Sequence, residues 1–151
     1  MQMTDSDFML GLKNDPQTRK FAILTKEEIK REDHIKWLEK NVHEFQVAVE
    51  VGDRLVGAIR IHPIQPESGN IGLLQQQSEI SIWITPDFRA LGYGTTLIKM
   101  VRKHRMIAKI VIGNLPSMRA FIKAGFLPKE FIDDKYYIFN YKAVMYGEEF
   151  V

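Results

Sequence analysis

The chain has 151 residues, 45% hydrophobic and 26% charged, with ten glycines, six prolines and no cysteine. That is the size of one domain with a sizeable core, too apolar for intrinsic disorder, and the lack of cysteine excludes disulfide scaffolds, thiolate metal sites and thiol nucleophiles. The formal charge of +2 is unevenly spread: residues 88–129 hold nine Lys or Arg and no acid, which leaves seven net negative charges elsewhere. Either a solvated basic helix or a site for a polyanion, such as nucleic acid, phospholipid or a phosphorylated small molecule, would produce that division.

From the N-terminus, Asp5 or Ser6 is placed to cap a short helix that Asn14-Asp15-Pro16 would end. A second helix is expected around 27–40, where Ile29, Ile35 and Leu38 approach helical spacing. Residues 44–49 (EFQVAV) and 55–61 (LVGAIRI) read as a hairpin around the turn at 50–54. Prolines, serine and glycine predict a long loop over 62–77, after which 78–85 (SEISIWIT) alternates as a strand and stops at Pro86. A glycine turn then leads into a helix running to about His104, followed by a strand at 107–112. Pro116 or Ser117 opens a helix that Gly125 terminates, and the aromatic segment 126–146 holds two strands. The order predicts an α/β sandwich with a mixed sheet and crossover helices.

No run of 18 apolar residues is present, and the first ten residues carry acids and no basic segment, which argues against a secretory signal. The expected location is the cytoplasm. Four histidines are present without HExxH spacing or a comparable cluster, so no metal is expected.

The segment Arg89-Ala90-Leu91-Gly92-Tyr93-Gly94 joins a strand directly to a helix. Its glycines let a ligand approach the backbone, and the amides of a first helical turn suit a pyrophosphate. An ordinary tight turn would look the same in isolation. A Walker A loop is excluded because Thr95 follows Gly94 with no lysine before it. The dinucleotide fingerprint fails too, for it needs three glycines and an acid about 20 residues on.

The segment 84–95 (ITPDFRALGYGT) resembles the acetyl-CoA-binding motif of the GNAT family of N-acetyltransferases, Q/R-x-x-G-x-G/A. Residues 114–126 (NLPSMRAFIKAGF) resemble that family's late N-x-x-S/A block, and Val56-Gly57-Ala58-Ile59 its usual third strand. The resemblance spans about residues 5–130. It implies a mixed, mostly antiparallel central sheet flanked by helices, with a splayed strand pair at the cofactor site, and a single N-acetyltransferase domain over 1–151. It implies acetyl-CoA as acetyl donor, its pyrophosphate cradled by the amides of Arg89, Ala90, Leu91, Gly92, Tyr93, Gly94 and Thr95. A bulge near Trp83 and Ile84 would splay the strand that pairs with the pantetheine arm. A backbone N–H near Ile84 would polarise the thioester, and Asn114, Ser117 and Phe121 would line the cofactor. Only Met1 to Met3 remain for the family's first strand, which is therefore expected to be truncated or missing.

An attacking ammonium must lose a proton, and Glu79 is the leading base, sharing a face with Ser81 and Trp83 if the strand alternates. A solvent-facing edge charge is the plainer reading of the same residue, and His62 is the alternative base. Relatives often carry a tyrosine where Phe121 stands, and phenylalanine has no proton to give the leaving thiolate. Ser117, Tyr93, Tyr136 and Tyr137 are the remaining hydroxyls, and none is assigned. One or two of Arg102, Lys103, Arg105, Arg119 and Lys123 would contact the coenzyme's 3′-phosphate. The segments 12–19 and 32–38 resemble a branch acting on nucleotide-linked amino sugars, for which Arg19, His34, Trp37, Arg60 and His62 offer phosphate contacts or stacking; core packing is the plainer role for Trp37. A small-molecule amine of that class is the expected acceptor. Acetylation of a protein or peptide N-terminus is the alternative enzyme reading. A non-catalytic acetyl-CoA-binding or RNA-binding module is the alternative of another class, nucleic acid being the less favoured partner. No membrane partner is expected, and a homodimer is compatible with all of these.

Overall fold

In the computed structural model, residues 1–24, 26–50, 52–64 and 77–142 are described. Three helices come first: α1 (Ser6–Asn14), α2 (Pro16–Lys20) and α3 (Arg31–Asn41). Asp15-Pro16 ends α1 as expected but also begins α2, because the Asp15 carboxylate accepts the amides of Gln17 and Thr18 with Pro16 in the first turn. The helix expected from residue 27 starts only at Arg31. Asn14 explains the delay: its side chain donates to the Ile29 carbonyl (2.9 Å) and accepts the Ile29 amide (2.8 Å), which removes both groups from any helix there.

The six strands are β1 (Phe45–Glu50), β2 (Arg54–Ile64), β3 (Gln77–Ile84), β4 (Met106–Val111), β5 (Leu127–Ile132) and β6 (Tyr136–Tyr141). They form one sheet in the order β1-β2-β3-β4-β6-β5, antiparallel except for β3 against β4. Among the described residues no strand precedes β1; Met3–Asp5 form a 3-10 turn instead. The loop expected over 62–77 is shorter, since 62–64 and 77 belong to β2 and β3, and residues 65–76 lie outside the described set, as does the end of the aromatic segment beyond residue 142.

Helices α4 (Tyr93–Val101) and α5 (Leu115–Lys123) cover one face. Directly paired strand residues share a face and alternate along each strand. Ile59, Ile80, Met106, Ala108, Ile110 and Phe139 therefore meet Ile98, Phe121, Ala124 and Phe126 in one dry cluster. On the opposite face Met9 and Leu12 of α1 and Leu38 of α3 close over Phe45 and Ala58. α4 stops at Val101 rather than His104, since Arg102 turns extended and its guanidinium donates to the Ala124 carbonyl at the end of α5.

Strands β3 and β4 pair only at Ser78↔Met106 and Glu79↔Ile107. On the other side β3 stays paired with β2 up to Ile84↔Gly57. Beyond Glu79 the parallel strands therefore fork, and the mouth of the fork faces the glycine turn after Ile84. This is the splayed pair that was expected. The bulge expected near Trp83 and Ile84 is not in the β2–β3 ladder, whose register runs without a shift through both residues. On that side the Trp83 oxygen lies 2.1 Å from where a Cβ on residue 57 would stand, a space that only glycine leaves open.

Candidate active site

The turn after β3 has the backbone its glycines predict. Ala90 and Gly92 both take positive φ (59° and 85°), and Gly92 is the N-cap of α4. A Cβ on Gly92 would meet nothing within 4 Å, so this glycine serves conformation and leaves open space beside the amides. The first bond of the helix runs from the Thr96 amide to the Gly92 carbonyl (3.1 Å). The amides of the first turn have no intrahelical acceptor, and the helix dipole adds positive potential there. No acid lies within residues 88–129 to oppose a phosphate. These features fit a pyrophosphate at the turn and an extended arm in the fork, as acetyl-CoA would require.

Arg89 stabilises the turn with its side chain rather than facing the cradle. Its Nε donates to the Ile84 carbonyl (3.0 Å) and its Nη2 to Asp15 Oδ2 (2.9 Å). Burial pushes the Asp15 carboxyl up, but the bonds from Arg89, Thr18 and Gln17 outweigh it and hold the group below the usual carboxylate range. One carboxylate thus caps α2 and anchors the glycine turn, a link between residues 74 positions apart. Tyr93 stands at the start of α4 with its ring edge on Phe88 (5.2 Å). Asn114 caps α5 by accepting the Ser117 amide (3.4 Å), which uses its Oδ1 and not its Nδ2 donor. Phe121 is buried in the core, edge-on to Phe126 at 5.0 Å, so its ring has a packing role. Of the other hydroxyl candidates, Tyr137 stacks on Phe131 (4.5 Å) in the apolar layer.

Glu79, Ser81 and Trp83 do share a face, with His62, Arg60 and Ala58 paired directly opposite them on β2. Glu79 is half-buried and lies 3.4 Å from the Lys109 ammonium. His62, Glu79, Ile107 and Lys109 line a groove of about 490 Å³ at the closed end of the fork. A neighbouring cavity of about 370 Å³ shares Gln77 and Ile107 with it, and its charged lining is Arg105, Lys129, Lys142 and Glu130, with His104 beside them. Neither cavity lies at the glycine turn.

Glu44, read only as the start of a strand, is a central residue of this face. Its side chain is 7% exposed, accepting from Arg60 Nε (2.6 Å) and from His62 Nδ1 (2.9 Å). Burial raises its carboxyl, yet the bonds from His62 and Arg60 prevail and keep it below the ordinary range. Lys13 of α1 was also missed. Its ammonium sits 3.4 Å above the Trp37 ring, with Phe45 and Trp83 about 6 Å away, and Arg60 lies over the same Trp37 and Phe45 rings. Burial and then Arg60 lower its pKa to about 8. The i, i+2 pair Arg60 and His62 was the available signal, because strand alternation puts both on one face; nothing local joins them to Glu44 or Lys13. His34, considered for phosphate contacts, is 2% exposed and its Nε2 contacts the Ser6 carbonyl (3.1 Å), so it is not available to a ligand.

Residues 1–127 match the acetyltransferase (GNAT) domain family, and the chain belongs to that family. No curated protein sequence matches the chain. Among solved structures it is similar to spermidine N-acetyltransferase from Vibrio cholerae in complex with CoA and spermine (16% identity, 93% of this chain and 89% of that one, TM-score 0.70). It is also similar to ribosomal-protein-alanine N-acetyltransferase from Brucella melitensis (24%, 92% and 94%, 0.67). A third is a GNAT-family acetyltransferase from Bacillus anthracis (20%, 93% and 88%, 0.67). At these identities the likeness is one of fold. The class is thus a GNAT acetyltransferase, with the family's fork and glycine turn in place and without its first strand among the described residues.

Proposed function

We propose that the chain, as one domain over residues 1–151, moves an acetyl group from acetyl-CoA directly to a primary amine. The observation that carries this reading is the fork between β3 and β4, whose mouth faces the first-turn amides of α4. When bound, acetyl-CoA supplies an activated acetyl group as a thioester. The amides from Arg89 to Thr95 hold the pyrophosphate, the edge of β3 near Trp83 and Ile84 receives the arm, and a backbone N–H near Ile84 polarises the thioester carbonyl. Asn114 and Ser117 flank the arm from the start of α5, over the packing that Phe121 supplies. Glu79 takes the proton from the acceptor ammonium through a water, at the closed end of the fork. With no cysteine in the chain, no thiol acyl-enzyme precedes transfer.

The acceptor we favour carries phosphate, as a nucleotide-linked amino sugar does. Arg105, Lys129 and Lys142 outnumber the one acid, Glu130, in the cavity adjoining the Glu79 groove, with His104 beside them, and the groove's own carboxylate is already paired with Lys109. A polyamine would gain little there, because it needs unpaired acids.

Two measurements test the reading. Calorimetry with acetyl-CoA should show binding that Gly92→Val weakens tenfold or more; a folded Gly92→Val protein with unchanged affinity would contradict the cradle. Thiol release across nucleotide-linked amino sugars, free amino sugars, polyamines and peptides should then be fastest for the first class. Faster turnover of peptides would instead establish the N-terminal acetyltransferase alternative.

A further inference from the structure

We propose that His62, oriented by Glu44, is the terminal proton acceptor of the transfer, receiving through the Glu79 side of the groove the proton that the acceptor amine loses. The inference rests on the acetyltransferase reading above and adds a residue pair to it. The carboxylate of Glu44 can only accept, so the His62 nitrogen 2.9 Å from it must carry hydrogen: Nδ1–H donates to Oε1. Arg60 does not compete for that nitrogen. Its Nη2 stands 3.4 Å away with nothing to accept its proton, and its Nε is spent on the other Glu44 oxygen. Neutral His62 is thereby fixed as the tautomer whose lone pair is on Nε2, a nitrogen that no described residue engages.

The location suits the task. His62 and Glu79 face each other across the β2–β3 ladder, and both line the groove at the closed end of the fork. His62 is 46% exposed, so its imidazolium can return the proton to solvent, while Glu44 beneath it is 7% exposed and stabilises that cation. The charged groups beside the imidazole are Glu44 before β1 and Arg60 on β2, with Glu79 on β3 and Lys109 on β4 lining the same groove. Two anions and two cations border it, and the anion in direct contact is Glu44.

The step balances without a further reagent. The acceptor R–NH3⁺ gives one proton, through water and Glu79, to His62 Nε2, forming the imidazolium. The freed nitrogen pair forms the C–N bond to the acetyl carbon, the C–S bond breaks with its pair going to sulfur, and the second N–H proton leaves to neutralise the thiolate.

The test compares wild type with His62→Gln, Glu44→Gln and Glu79→Gln, reading kcat against pH, the Kd for acetyl-CoA, and the His62 tautomer by nitrogen-15 NMR. His62→Gln should lower kcat ten- to a hundredfold at neutral pH with Kd unchanged, and its rate should climb with pH where wild type levels off. Glu44→Gln should lose the fixed Nδ1–H tautomer and lower kcat with Kd unchanged. A Glu44→Gln protein that keeps the wild-type tautomer and rate would overturn the assignment. A His62→Gln enzyme with the wild-type rate and profile would overturn it as well, as would a limb that only Glu79→Gln removes. If wild type binds no acetyl-CoA, the acetyltransferase reading falls and this proposal with it. Binding and turnover with an unchanged His62→Gln profile remove the proposal alone.

Discussion

The two faces of the sheet are built from different materials. Toward α4 and α5, large apolar side chains close on one another, and the charges nearby stay at the rim. Toward α1 and α3 the apolar cluster is smaller, and next to it Lys13, Arg60, Glu44 and His62 share the surface with Trp37, Phe45 and Trp83. The first face can hold a strand fork and a helix start rigidly, because displacing a packed ring costs several kcal/mol. The second holds charged side chains against one another and against aromatic rings rather than in a close-packed apolar layer. The faces meet at Arg89, which ties the last carbonyl of β3 to Asp15 between α1 and α2.

The largest effect expected from breaking this division is on the dry side. Phe126 is fully buried, edge-on to Phe121 and tilted on Tyr141 at 5.4 Å. Phe126→Ala should cost about 3–5 kcal/mol in denaturant unfolding, the usual range for deleting a buried ring. A loss under about 1 kcal/mol would mean that this layer collapses easily and does not fix the fork.

Asp15→Asn tests the seam between the faces. Asparagine keeps the α2 cap, so the loss isolates the charged bond to Arg89, worth about 1.5–3 kcal/mol. The folded-state pKa of Asp15 is depressed, so its contribution is full above the unfolded value and disappears as pH falls through the folded one. Wild type should therefore exceed Asp15→Asn by a constant margin from pH 5 to 7, with the two converging in stronger acid. Equal stability at pH 7 would show that the seam carries no energy. Gly92 and its neighbours should also loosen in the variant, weakening acetyl-CoA binding modestly.

How far each region could be read from the sequence follows the same division. The glycine turn, the end of the first helix at 14–16, the helix opening near Pro116 and the strand at 78–85 obey local rules, so their residues are legible within a few positions. Gly125 ends α5 with positive φ for the same reason. The fork was expected from family resemblance together with a bulge that the β2–β3 ladder does not contain, and the approach of the Trp83 carbonyl to Gly57 arises only through pairing. Glu44 meets His62 and Arg60 over 18 and 16 positions, and Asp15 meets Arg89 over 74. No periodicity encodes such contacts, since they depend on strand order and on which helix covers which face. The acid-free stretch turned out to be divided as well. Arg89, Arg102 and Lys109 have partners within the fold, and several other cations of the stretch are exposed.

The smallest effect, and the one that most sharpens the contrast, concerns Lys13. Its folded pKa of about 8 lies below the ordinary lysine value of 10.5, because burial and Arg60 disfavour the ammonium. The unfolded chain therefore binds the proton more tightly, and between pH 8 and 10.5 wild type should gain stability as pH rises. Lys13→Met fills the space over Trp37 without charge and lacks that dependence. The melting temperature of Lys13→Met relative to wild type should therefore be most favourable at pH 7 and should fall by a few degrees by pH 10. The other lysines and tyrosines titrate alike in both proteins and cancel in the difference. If the difference does not change with pH, the ammonium is solvated and α1 does not close over it. If it changes as described, the face under α1 stores an unpaired cation beside three aromatic rings, at a cost that an anionic group bound there would relieve.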